Sequence, residues 1–463
     1  MTLRRTAVAL PLAGAILSAG LLARGLIPSG DRATAFETGA SVVVGLALLG
    51  FVLLARPAAT ISLAIALTVF STHWSDMGVP VSLERVVLVI GIVTGLVRAR
   101  QAAPDHRLRT RPIHWLLGLA ALYALISSIV TGTIGQTAAT YGLLDRFGFI
   151  PFAMLFVAAL VFREPRDRNL LLGTLVALGA YLGLTALFET VGPSSLVIPH
   201  YINNPLLGIH QDRARGPFLE AGGNGLALYM CGVASIVAVF TWRDRRWRIV
   251  AFVVAALCAL GVLFTLTRAI WIGAIAGSVL ALLGVRSMRR FLIPALAVGF
   301  VLVLGALATV PGLQSQVNKR TSDQSPIWDR NNSNRAAERM VQARPFVGFG
   351  WGRFPTDSAD YYRQNPNYPM TLVAEVHNVY LSNAAELGLI GGGLWLLALV
   401  AAIGGAVFRR GPPELDPWRI GLIGVAVAWG VAAASEPGGV VMPTLLLWTW
   451  AGVVRGEQDI GRA

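Results

Sequence analysis

Apolar runs recur along almost the whole of this chain, and each has the length a helix needs to cross a bilayer, about 17–25 residues. They fall at roughly 7–27, 38–55, 57–73, 80–98, 113–131, 146–162, 170–191, 222–241, 249–266, 269–285, 290–311, 379–408, 418–435 and 439–454. Lipid offers no hydrogen bonds to backbone N–H and C=O groups, so a chain of such runs must satisfy them within helices. The expected fold is therefore all-α, a polytopic membrane helix bundle of about 12–14 transmembrane helices. Trp74, Asp76, Glu84 and Arg85 interrupt the third and fourth runs, which leaves twelve as the alternative to fourteen. Apolar residues make up 55% and charged residues 13% of the 463 positions, a balance that excludes an ordinary soluble domain. Cys231 and Cys258 both lie within apolar runs and read as packing residues.

The net charge of +14 is mostly a statement about topology. With the N-terminus inside, the cytoplasmic segments hold 23 of the 38 Lys and Arg, against 7 in short external connections and 8 in one long loop. That is the bias of the positive-inside rule, and it leaves a nucleic-acid partner without support. The domain division follows: 1–311 as membrane helices with an external segment at 192–221, 312–378 as one large external loop, and 379–463 as the C-terminal membrane helices. Asn334 to Ala343 reads as an amphipathic stretch of that loop, followed by a turn at Pro345, Gly348, Gly350 and Gly352.

Chemistry concentrates on the external side. His377-Asn378, nine residues, Gly388, two residues and Gly391 fall where the chain re-enters the membrane. His377 either caps that helix or acts as a base there. Arg268 sits between two spans with almost no loop between them, where a guanidinium either snorkels to headgroups or binds a ligand. Arg146, Arg213, Arg215 and the loop arginines share its side. The planar guanidinium fork suits bidentate binding of phosphate oxygens, so an arginine-lined external cavity would take a phosphate-bearing lipid.

These residues resemble the signature of the O-antigen ligase and O-antigen polymerase superfamily of polytopic glycosyltransferases. His377-Asn378, Gly388 and Gly391 are similar to its C-terminal pattern, with Glu386 near the place of the acid that often precedes the first glycine. Arg213-Ala214-Arg215-Gly216-Pro217-Phe218 with Asn224 resembles its Arg-x-x-Gly-x-Phe segment before an Asn at a helix start. Thr267-Arg268-Ala269-Ile270-Trp271 resembles its Thr-Arg junction, and Arg330 followed by Pro345, Gly348, Gly350 and Phe354 its loop pattern. The four segments keep the family's order over about residues 210–395.

The resemblance implies transfer of a glycan from a polyprenyl (undecaprenyl) diphosphate carrier to an acceptor glycan or lipid. This would occur at the outer face of the plasma (inner) membrane, in cell-surface polysaccharide assembly. It implies His377, Arg268 and Arg330 as catalytic residues. Arg213, Arg215, Arg146, Arg335, Asn378 and Glu386 would bind substrate, with Arg213 or Arg215 and Arg330 or Arg335 as alternative phosphate ligands. No cofactor and no metal is implied, in keeping with the lack of an external Asp-x-Asp or His/Cys cluster. Ligase and polymerase differ only in the acceptor and both stay open. A lipid-linked glycan transporter is the remaining alternative, although it would more often carry charges deep within its spans.

Overall fold

The computed structural model describes residues 55–79, 82–101, 111–209, 211–363, 376–408, 411–436, 438 and 440–459. The expected span 7–27, nearly all of 38–55, His210 and loop residues 364–375 lie outside them. Every later apolar run carries a helix: α1 (Pro57–Leu67), α2 (Leu83–Gln101), α3 (Pro112–Val130), α4 (Phe149–Val161), α5 (Pro165–Thr190), α6 (Ala221–Thr241), α7 (Arg245–Phe264), α8 (Arg268–Gly284) and α9 (Leu292–Thr309). Two helices of the long loop follow, α10 (Leu313–Ser322) and α11 (Ser325–Ala343), then α12 (Val379–Phe408), α13 (Asp416–Ala433) and α14 (Val441–Asp459). The described residues contain eight helices long and apolar enough to cross a membrane, with two shorter apolar ones at Pro57–Phe70 and Arg268–Gly284. The protein is an all-α polytopic membrane helix bundle.

Helix association in lipid gains little from apolar burial, so close backbone approach must supply the packing. Two helix pairs show it. On α14, Gly452 and Gly456 lie one turn apart against α4, where a Cβ would stand 2.6 Å from the Leu155 carbonyl and 2.9 Å from that of Ala159. On α8, Gly273 and Gly277 lie against α13 in the same way, 3.1 Å from the Ala428 carbonyl and 2.4 Å from that of Gly424. α5, α6 and α7 pack against one another, and α12 packs on α3. By contrast α9 is peripheral, with 6% of its apolar window buried inside the protein.

Polar residues that break the apolar pattern are paired rather than stranded. Glu84 is buried and accepts from Ser71 Oγ at 3.1 Å and from the Trp74 indole. Arg85 pairs with Asp145 at 2.6 Å and lies over the Tyr141 ring. This accounts for the interruption near residues 74–85: the chain turns there, at the same end of the bundle as residues 191–220, with His73 stacked on Tyr201. That end also carries the long loop and is here the loop end. The short connections at 162–164, 242–244 and 411–415 lie at the other, basic end.

Candidate functional site

Three sequence segments meet at the loop end, and each is held by backbone contacts that the local sequence makes possible. The turn before α6 is fixed first. Ala214 N–H donates to the Phe264 carbonyl at the end of α7 (3.1 Å), and buried Asn224 donates from Nδ2 to the Ala214 carbonyl (3.0 Å). Gly216 has φ 55°, and a Cβ there would fall 2.5 Å from Asn224 Oδ1, so the motif needs glycine at this point. The bond to Phe264 brings Arg213 next to the tight α7–α8 junction, where Arg268 opens α8. From there Arg268 Nη2 reaches the Asp323 carbonyl (3.2 Å), ahead of α11.

The neighbouring arginines 213 and 215 have different employment. Arg215 is buried and donates to the carbonyls of Leu207 (2.6 Å), Ile202 (2.6 Å) and Asn204 (2.8 Å), closing the 200–215 turn. Among the described residues Arg213 has Asp212 at 3.9 Å, and its buried Nε has no hydrogen-bond partner. Burial and the nearby Arg320 bring its guanidinium down to about 10, with Arg330 adding to the effect. Arg320 in turn pairs with Asp212. Arg213 thus sits close enough to both Arg320 and Arg330 to be repelled by them.

Opposite them stands a carboxylate that the sequence patterns did not single out as a site residue. Glu436, just past the end of α13, accepts from Arg330 Nη2 at 2.9 Å. Burial pushes its carboxyl up, and Arg330 and Arg213 pull it partly back. A carboxylate at the end of an apolar run gives no spacing signal, which is why pattern reading passed over Glu436 and the loop's Arg320. Arg146, Glu220, Val379 and Glu436 line a narrow cavity of about 40 Å³, room for a water but not for a diphosphate. Arg335 lies on the exposed side of α11, while Arg330 faces inward.

The His377 segment is built on a broken helix. Gly388 takes φ 67° and ψ −176°, a region open essentially to glycine alone, so α12 is two helices joined there. The turn at 345–350 fills the break: Leu389 N–H donates to the Pro345 carbonyl (2.7 Å), and Gly350 N–H to the Glu386 carbonyl (2.7 Å). A Cβ on Gly388 would come within 2.2 Å of the Phe346 carbonyl oxygen. Glu386, buried, accepts from Phe354 N–H at 3.1 Å and pairs with Arg146 at 3.5 Å. Gly391 lets the Tyr123 ring of α3 approach. Asn378 caps the helix, its Oδ1 accepting from Leu381 N–H at 3.1 Å. His377 is therefore not the cap. It precedes it and follows Val376, which is buried against Ala337 and Met340 of α11.

A polytopic membrane protein with an arginine set at one end, facing the start of a glycine-broken helix, is the class that this fold and site define. Residues 253–396 match the family model described as O-antigen ligase. The match bears out the resemblance to the O-antigen ligase and polymerase superfamily, and it supports a glycan-processing, ligase-like enzyme in a multi-pass membrane protein. The matched stretch holds Arg268, Arg330, His377, Asn378, Glu386, Gly388 and Gly391, while Arg146, Arg213, Arg215 and Glu436 lie outside it. No curated protein matches the chain.

Proposed function

We propose that this protein transfers a glycan from a polyprenyl diphosphate carrier to an acceptor hydroxyl, with the loop end facing the outside of the plasma membrane. The observation that carries the reading is the meeting of Arg213 and Arg330 at the Glu436 carboxylate, with Arg268 tied to the Asp323 carbonyl at the adjoining α7–α8 junction, beside the helix that His377 precedes. Clustered guanidiniums are costly unless they have an anion to bind, and a diphosphate supplies more negative charge than Glu436 does alone.

In this scheme the acceptor O–H attacks the anomeric carbon as the bond to the diphosphate oxygen breaks. His377 takes the hydroxyl proton, and the carrier leaves as a diphosphate whose growing charge the arginines hold. A single displacement inverts the anomeric centre. Because the cavity is too small for a diphosphate, binding must free Arg330 from Glu436 or proceed on the solvent side of the pair. Arg213 fits the role of phosphate ligand better than Arg215, whose donors are engaged with backbone, and Arg330 fits better than the exposed Arg335. Arg146 and Glu386 fit a supporting role under the site, and Asn378 orients the His377 turn as a helix cap. No metal enters the scheme, since fixed arginines provide the charge stabilisation. Ligase and polymerase versions share these steps and differ only in the acceptor.

Turnover of a lipid-linked glycan by purified protein in detergent, with no ion gradient, tests the enzyme reading against transport. Arg268→Ala should abolish transfer and weaken carrier binding, and Arg268→Lys should restore little because the fork is lost. Full turnover by a folded Arg268→Ala protein would reduce Arg268 to a tether for Asp323.

A further inference from the structure

A roomy cavity lies at the basic end, remote from the arginine set described above. It occupies about 1140 Å³ between α5, α7 and the start of α13. Its walls are apolar, formed by Val176, Ala177 and Ala180 of α5 and by Val250 and Val254 of α7. Its mouth is polar and aromatic, with Trp242 and Arg243 on the α6–α7 connection and Trp247 in the first turn of α7. We propose that this cavity binds an anionic phospholipid from the leaflet at the basic end, its acyl chain along α5 and α7 and its headgroup at Arg243.

Three observations select that occupant. Depth comes first: tryptophans concentrate at the level of lipid headgroups, and Trp247 is 59% exposed beside the helix start, so the mouth lies at the interface. Shape comes next: an apolar crevice that opens toward the lipid-facing residues Phe240 and Val250 suits an acyl chain better than a water-soluble ligand. Charge decides the headgroup. The two acids at the mouth are already engaged, Asp244 with Arg246 N–H (2.8 Å) as the cap of α7, and Glu414 with Arg168 (2.6 Å). Arg243 on the connection and Arg245, Arg246 and Arg248 in the first turn of α7 then leave a cationic excess at this end. Basic pockets between membrane helices on that side are where anionic headgroups dock. None of this depends on the identity of the glycan donor.

The test uses the full chain in detergent micelles supplied with phosphatidylglycerol or with phosphatidylcholine, bound lipid being counted by native mass spectrometry. Phosphatidylglycerol should be retained in preference. Arg243→Glu, an exposed position that leaves the core intact, should lower its retention by about fivefold or more and leave phosphatidylcholine unchanged. Arg286→Glu, on the same end but away from the cavity, should have no effect. A photoreactive side chain at position 177 should cross-link to lipid. Equal loss in the two charge variants, or equal retention of both lipids, overturns the proposal. A cross-link from position 177 to residues 1–54 also overturns it, because the cavity would then be filled by this chain itself.

Discussion

Two regions at the loop end sit side by side and are built on opposite terms. Where the 345–350 turn meets the break in α12, the backbone groups that Gly388 frees are taken up by neighbouring backbone, and buried Glu386 has both a guanidinium and an N–H donor. Around Glu436, two guanidiniums, Arg330 and Arg213, share one carboxylate, Arg320 beside them is taken up by Asp212, and Arg213 Nε is left without a hydrogen-bond partner among the described residues. A saturated joint is a scaffold. A region with donors to spare suits the proposed binding of a further anion, and the contrast separates the residues that hold the site from those proposed to use it.

The largest expected effect tests the division directly. His377→Ala should slow single-turnover transfer by roughly two to four powers of ten, with carrier binding nearly unchanged. His377→Asn should be as slow, since Asn378 already caps α12. Normal turnover in His377→Asn would move the histidine into the scaffold, and poor carrier binding in both variants would move it into the diphosphate site. On the scaffold side, Gly388→Ala should cost roughly 2–6 kcal/mol through backbone strain and collision with Phe346, read as a lowered Tm and poor yield in detergent.

Arg213 and Arg215 give the sharpest contrast within one turn. Arg215→Ala should destabilise the protein by about 3 kcal/mol, because buried carbonyls lose their donor. Arg213→Ala should leave Tm nearly unchanged and weaken carrier binding by about tenfold or more, as loss of a charged hydrogen bond does. Reversed results would exchange their roles. The smallest effect concerns pH. The Glu436 carboxyl is raised above its ordinary 4.5, so its contribution to stability is complete below that value and is lost as pH rises through the raised one. Acidification should protonate it, free Arg330 and tighten carrier binding a few-fold. Glu436→Gln should bind tightly throughout and show no such dependence. A pH profile identical in the two proteins would remove Glu436 from the competition.

Much of the architecture was legible without coordinates. The length and recurrence of the apolar runs determined an all-helical membrane bundle, because lipid forbids unpaired backbone and only helices of that length satisfy it locally. The clustering of arginine in particular connections set an expected orientation by the same kind of local rule. The identity of the motif glycines was legible too, but not their reason: Gly388 marks a break that the Pro345 turn must fill, a contact between residues some forty positions apart. Tertiary structure alone distinguished Arg213 from Arg215 and Arg330 from Arg335, since a guanidinium's role depends on which carbonyls and carboxylates surround it, and sequence spacing does not record that. It also brought Glu436 and Arg320 to the site, from the end of α13 and from α10, where no local pattern marks them. Local rules fix where helices form and which end is basic. Which charges are already paired, and which remain for a ligand, is settled only when distant segments are packed together.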